Sequence, residues 1–100
     1  MKIVWSPLAL QRVEDIAQYI AEDNPEAAVN WVHKLFATVE RLQDFPESGR
    51  VVPEVGSRRC REVIQGAYRV IYRLGDRIDV LTVQRGSQLL RPSEFGDGEL

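Results

Sequence analysis

The sequence predicts an α+β fold made of a short N-terminal strand, an antiparallel helix hairpin and a three-stranded antiparallel meander. Three observations predict it. Two stretches in the first half carry apolar residues at helical spacing, and each is opened by a capping residue followed by proline. Few residues separate the two stretches, which forces their helices to run antiparallel. Beyond about residue 50 the period of the apolar pattern falls from 3.6 to 2, the signature of strands.

Taken in order, Lys2 to Trp5 alternate, with Ile3 and Trp5 on one side, as in a short strand. Ser6-Pro7 starts a helix, because serine accepts an orphan N–H and proline at the first helical position lacks one. Ala9, Val13, Ile16, Ala17 and Ile20 form its buried stripe, and the helix ends near Glu22. Asn24-Pro25 repeats the start signal. Ala28, Val32, Leu35, Val39 and Leu42, with Phe36, mark a second helix running to about Asp44. Phe45-Pro46-Glu47-Ser48-Gly49-Arg50 has no period and reads as a connection. Cys60 to Gln65, Tyr68 to Leu74 and Arg77 to Gln84 then read as strands joined by the two-residue links Gly66-Ala67 and Gly75-Asp76.

Two-residue links fix the register and hence the faces of the sheet. Pairing Gln65 with Tyr68 sets Val63 opposite Val70; pairing Leu74 with Arg77 sets Val70 opposite Leu81 and Tyr68 opposite Val83. Val63, Tyr68, Val70, Tyr72, Leu81 and Val83 are then expected beneath the helices. The opposite face would carry Glu62, Ile64, Arg69, Ile71, Arg73, Ile78, Val80 and Thr82. That mixture is too apolar for water and too charged for a core, so it reads as a binding surface. The tyrosines and Trp5 and Trp31 are read as packing residues, and His33 as a surface residue off the apolar stripe.

One hundred residues suffice for one domain over 1–100, with a tail beyond about residue 92 outside the regular elements. No run approaches the roughly 18 apolar residues of a membrane span, and no apolar leader precedes the first strand. A cytoplasmic location is expected, with no membrane partner. Cys60 is the lone cysteine, which leaves no internal disulfide or cysteine zinc site, and neither a metal nor a cofactor is expected. Charge is unevenly spread. Met1 to Gly56 hold five Lys/Arg against nine Asp/Glu, whereas Ser57 to Arg91 hold eight arginines against three acids. Arginine's planar fork suits phosphate or carboxylate, so nucleic acid and acidic protein segments are both plausible partners.

The order of elements, and residues along almost the whole chain from 2 to 92, resemble the RelE/ParE toxin family. The resemblance is carried by Trp5-Ser6-Pro7 with Ala9, Tyr19-Ile20-Ala21 followed by Asn24-Pro25-Glu26-Ala27-Ala28, and Phe45-Pro46-Glu47-Ser48-Gly49-Arg50. It continues through Arg61-Glu62-Val63 and Tyr68-Arg69-Val70-Ile71-Tyr72-Arg73. It implies a toxin silenced by a cognate, ParD-like antitoxin whose C-terminal segment wraps it. Some members cleave mRNA on the ribosome, whereas ParE-like members poison DNA gyrase.

Cleaving RNA through its 2′-hydroxyl needs a base, an acid and cations for the phosphate charge. Arg69 matches the phosphate-stabilising arginine of the ribonuclease members, and Glu62 resembles the carboxylate that some use as a base. With Arg73 and Arg85 these form the site that a nuclease would require. Where many members read Val-x-His-Gly-x-Arg, however, this chain reads Val83-Gln84-Arg85-Gly86-Ser87-Gln88. Arginine stays protonated and glutamine does not titrate, so neither shuttles a proton. The missing acid therefore favours the ParE-like branch, with no catalytic residue assigned. The open face, with Ile64, Arg69, Ile71, Arg73 and Val80, has the apolar and cationic mixture that an acidic antitoxin segment would cover, and the resemblance implies a role in toxicity for Arg85, Leu89, Leu90 and Arg91, in an end region too broken by Gly86 and Pro92 to add a strand.

Overall fold

The computed structural model describes residues 1–91, 93 and 95; apart from Ser93 and Phe95, the tail expected beyond residue 92 lies outside the described residues. Strand β1 (Ile3–Trp5) leads into helix α1 (Pro7–Asp23) and helix α2 (Pro25–Glu40), which closes in a 3-10 turn over Arg41–Gln43. The sheet continues with β2 (Arg50–Val51), β3 (Cys60–Gln65), β4 (Tyr68–Leu74) and β5 (Ile78–Arg85), in the spatial order β1-β5-β4-β3-β2. β1 runs parallel to β5 and every other pair is antiparallel.

Both helix starts behave as their sequences require. The Ser6 hydroxyl oxygen accepts from the Ala9 amide at 3.0 Å, and the Asn24 carboxamide oxygen accepts from the Ala27 amide at 3.1 Å. Asn24 also ends α1, donating its own N–H to the Ile20 carbonyl, so one residue makes the whole turn between the helices. The Ser6 hydroxyl also donates to the Leu81 carbonyl at 2.9 Å, which ties the start of α1 to β5.

Beneath the helices, Leu35, Val39 and Leu42 meet Tyr68, Val70, Tyr72, Ile78, Val80 and Val83 in the main core. Trp5 packs on Phe36 with ring centroids 4.7 Å apart, and the Trp31 ring meets that of Tyr68 at 5.2 Å, so both tryptophans are packing residues. Tyr72 donates to the Pro46 carbonyl and accepts from the Gly49 amide, and this pins the connection after α2. Position 49 is closed to larger residues: a Cβ there would strike the Tyr72 hydroxyl and lie 2.7 Å from the Glu62 carbonyl.

Three expectations are corrected. Arg50–Val51, read partly as connection, is an edge strand on β3; the short β-branched run Val51-Val52 was the signal for it. The link between β4 and β5 has three residues, Gly75-Asp76-Arg77, because Leu74 pairs with Ile78. This slip of one residue turns Ile78 and Val80 under the helices, where both are fully buried, so Val80 cannot belong to an exposed surface. A bulge then inserts Leu81 opposite the Ile71/Tyr72 step, and the second slip restores Val83 to the expected face, opposite Val70. The register of β3 on β4, with Val63 opposite Val70, is as expected.

The third correction concerns the other face of the sheet, which is covered. Val52, Cys60, Ile71 and Leu90, with Val55 and Phe95 against them, form a second core. Its cover is the turn after β2 and the chain following β5. Val52 accepts from the amides of Val55 and Gly56, and Gly56 takes φ +72° to complete that turn. Cys60 is the buried apolar residue expected; burial, then the nearby Glu62 charge, pushes its thiol up to about 11.

Candidate functional site

Arg69 organises the covered face. Its side chain is 5% exposed, and its five N–H donors all find acceptors. Nε and Nη2 grip the two oxygens of Glu62 at 2.9 and 3.1 Å. Nη1 and Nη2 grip those of Glu54 at 2.7 and 3.0 Å, and Nη1 also donates to the Gln88 carbonyl at 3.1 Å. Glu62 has no exposed side-chain surface and takes a second cation, Arg50, at 3.3 Å. Hydrogen bonds from Arg69 hold the Glu54 carboxyl down at about 2, against the opposing effect of burial, with the Leu90 amide helping. The same bonds, those to Glu54 first, raise the Arg69 guanidinium above its ordinary range.

The chain after β5 is fastened to this centre at two points. The Leu90 amide donates to Glu54 Oε2 at 2.8 Å, and Gln84 Nε2 joins Arg69 in donating to the Gln88 carbonyl. Leu90 is thereby buried, whereas Leu89 beside it is 73% exposed and Arg85 and Arg91 face solvent. Arg85 lies on the helix side of the sheet, its guanidinium 5.7 Å from the Tyr19 ring and 5.9 Å from that of Tyr68. A cleft of 340 Å³ opens there, lined among others by Arg12, Asp15, Tyr19, Arg85 and Gln88.

The four residues that a nuclease would require are not brought together. Glu62 and Arg69 are buried on the covered face and spent on each other, Arg73 is paired with Asp79 at 2.7 Å, and Arg85 is on the opposite face. Of the surface expected to meet a partner, Ile71 has no exposure and Arg69 almost none; Ile64 alone is well exposed, at 51%. Arg73 is partly exposed. Ile64 borders a groove of 580 Å³ at the β3 edge, shared with Arg41, Phe45, Ser48 and Arg50. Phe45, 65% exposed, is the residue that periodicity missed, because it falls in the aperiodic connection.

A two-helix layer on a mixed five-stranded sheet is the fold that this chain shares with a protein of a known toxin–antitoxin system. It matches a solved structure from the chromosomal ParDE toxin–antitoxin system of P. aeruginosa with a TM-score of 0.69 and 22% identity, covering 85% of this chain and 95% of that one. The family model for the ParE toxin of type II toxin–antitoxin systems, parDE, matches residues 3–90. A Sinorhizobium fredii (strain NBRC 101917 / NGR234) protein, Y4kP, whose name carries a provisional toxin label, is 32% identical over 87 residues, 87% of this chain and 90% of its own. The chain belongs to the ParE toxin family. No helix among the described residues is long and apolar enough to cross a membrane.

Proposed function

We propose that this ParE-family toxin inhibits growth by binding, trapping DNA gyrase on cleaved DNA, and that a ParD-like antitoxin neutralises it. The observation that carries this reading is the use made of the ionisable groups. The carboxylate and arginine that RNA cleavage would employ are closed into a buried ion cluster, while Arg85, Leu89 and Arg91 stand exposed on a segment tied to the sheet. A buried, fully bonded guanidinium has no donor left for a phosphate. An exposed leucine between basic side chains suits contact with a protein that holds DNA.

The antitoxin is assigned to the β3 edge, where Ile64 and Phe45 give apolar area and Arg41 and Arg50 complement an acidic segment. Purified toxin incubated with gyrase and supercoiled DNA should accumulate cleaved DNA, and the variant with Leu89 and Arg91 replaced by alanine should not. In cells, induction should cause filamentation while protein synthesis continues at first, and the antitoxin should restore growth. Prompt arrest of translation with mRNA cut inside codons would overturn the proposal in favour of a ribosome-dependent nuclease.

A further inference from the structure

We propose that Glu54 is a positioning residue, a latch that fixes the segment from Arg85 to Arg91 against the sheet so that Leu89 and Arg91 are presented in one arrangement. The inference rests on the reading above that this segment meets the target. Glu54 lies 36 residues before Leu90, in the tight turn after β2, and one of its oxygens serves both partners. Oε2 takes the Leu90 amide at 2.8 Å and Arg69 Nη1 at 2.7 Å, while Oε1 takes Arg69 Nη2 at 3.0 Å. The carboxylate thus joins the sheet, through Arg69, to a backbone amide of the end segment. The Gln88 carbonyl is held two residues earlier by the same guanidinium and by Gln84. A segment interrupted by Gly86 has little helix or strand bonding of its own, so its order depends on such fastenings.

Geometry separates this role from plain stability. Glu62 alone is fully buried and keeps Arg69 and Arg50 as partners without Glu54; the Glu54 side chain is 18% exposed and sits at the outer rim of the cluster. Removing it spares the core beneath the helices and frees one end of the molecule.

The test compares the full-length wild type with Glu54→Gln and Glu54→Ala. Amide hydrogen exchange is followed at Leu90 and, as a core reference, at Leu35, together with the thermal midpoint, growth arrest and antitoxin binding. Loss of a charge-assisted bond should speed Leu90 exchange about 10- to 100-fold more than Leu35 exchange in Glu54→Ala, while antitoxin binding holds. Growth arrest should fall in parallel. Glu54→Gln, which keeps an oxygen for the Leu90 amide but loses the charge facing Arg69, should fall between, and it carries the test if the alanine variant fails to fold. Unchanged Leu90 exchange in the glutamine and alanine variants, or equal acceleration at Leu35, overturns the latch. Faster Leu90 exchange with full toxicity upholds the latch and instead removes this segment from the toxic surface.

Discussion

The face of the sheet beneath the helices is closed by apolar side chains packed against one another, with Leu35, Tyr72, Val80 and Val83 all fully or almost fully buried. The opposite face is closed by a small apolar cluster around Ile71 and by one arginine holding two carboxylates. Dispersion and burial tolerate the loss of any one contact by degrees, but an ion cluster out of water depends on every partner. The two faces should therefore fail differently. Arg69→Ala leaves two carboxylates facing each other without their shared cation, and Arg50, 65% exposed, cannot replace it. Unfolding in denaturant should show a loss of about 3–5 kcal/mol. A loss below about 1 kcal/mol would show that the cluster is dispensable and that the covered face is held by its apolar residues alone. The same change is thus a folding variant and cannot serve as a probe of antitoxin affinity.

Ile71→Ala sharpens the comparison. Ile71 is fully buried in the second core, and Leu35 in the first; the two alanine variants should lose similar amounts, about 2–5 kcal/mol each by equilibrium unfolding. An open face would give Ile71→Ala a cost within about 0.5 kcal/mol. Leu90, from the same cluster, carries a related warning. Cutting the chain after Gln88 would uncover Ile71 and Cys60, so point changes at exposed Leu89 and Arg91 test toxicity more cleanly.

Why one face was legible in the sequence and the other was not follows from the same physics. The helices, their caps and the β3–β4 register are local: Ser6-Pro7, Asn24-Pro25 and Gly66-Ala67 each act on neighbours a few residues away. The β5 register failed because Gly75-Asp76 reads as a complete link, although Arg77 belongs to it, and nothing in Val80-Leu81-Thr82 marks Leu81 as a bulge. The covered face looks open in the sequence pattern because its lid comes from two distant places, residues 52–55 and Leu90, which show neither periodicity nor length. The Gly66-Ala67 link by itself sets Glu62 and Arg69 on one face of neighbouring strands; the second carboxylate, Glu54, lies in an aperiodic turn and leaves no trace in the pattern.

Acid should also separate the faces. The Glu54 carboxyl is held at about 2 in the folded chain, against an ordinary 4.5, so the unfolded chain binds the extra proton first. A lowered folded value contributes stability that is fully present above about 4.5 and is lost as pH falls toward 2. The loss should be on the order of 2 kcal/mol, and Glu54→Gln should lack it. Stability measured at pH 7 and again near pH 3 should show the wild type and Glu54→Gln converging. Parallel curves would mean that Glu54 is not ion-paired in solution. The packing beneath the helices, which contains no carboxylate, should be indifferent over that range.

The smallest expected effect on stability is the one that tests the partner surface. Ile64 and Ile71 lie on the same face of the sheet, in neighbouring strands, yet the lid reaches only the second, and Ile64 stays 51% exposed beside Phe45. Ile64→Ser removes apolar area that already meets water, so the folding free energy should change by no more than about 0.5 kcal/mol. If the β3 edge receives the antitoxin, the same change takes an apolar anchor from the contact, and affinity should fall about tenfold or more in a titration of toxin with antitoxin. A serine placed at Ile71 would instead unfold the chain before binding could be read. A stability loss above about 1 kcal/mol for Ile64→Ser would show that the lid extends farther than the contacts indicate. Unchanged affinity would move the antitoxin to another surface, and the apolar edge at Ile64 and Phe45 would then have no part in it.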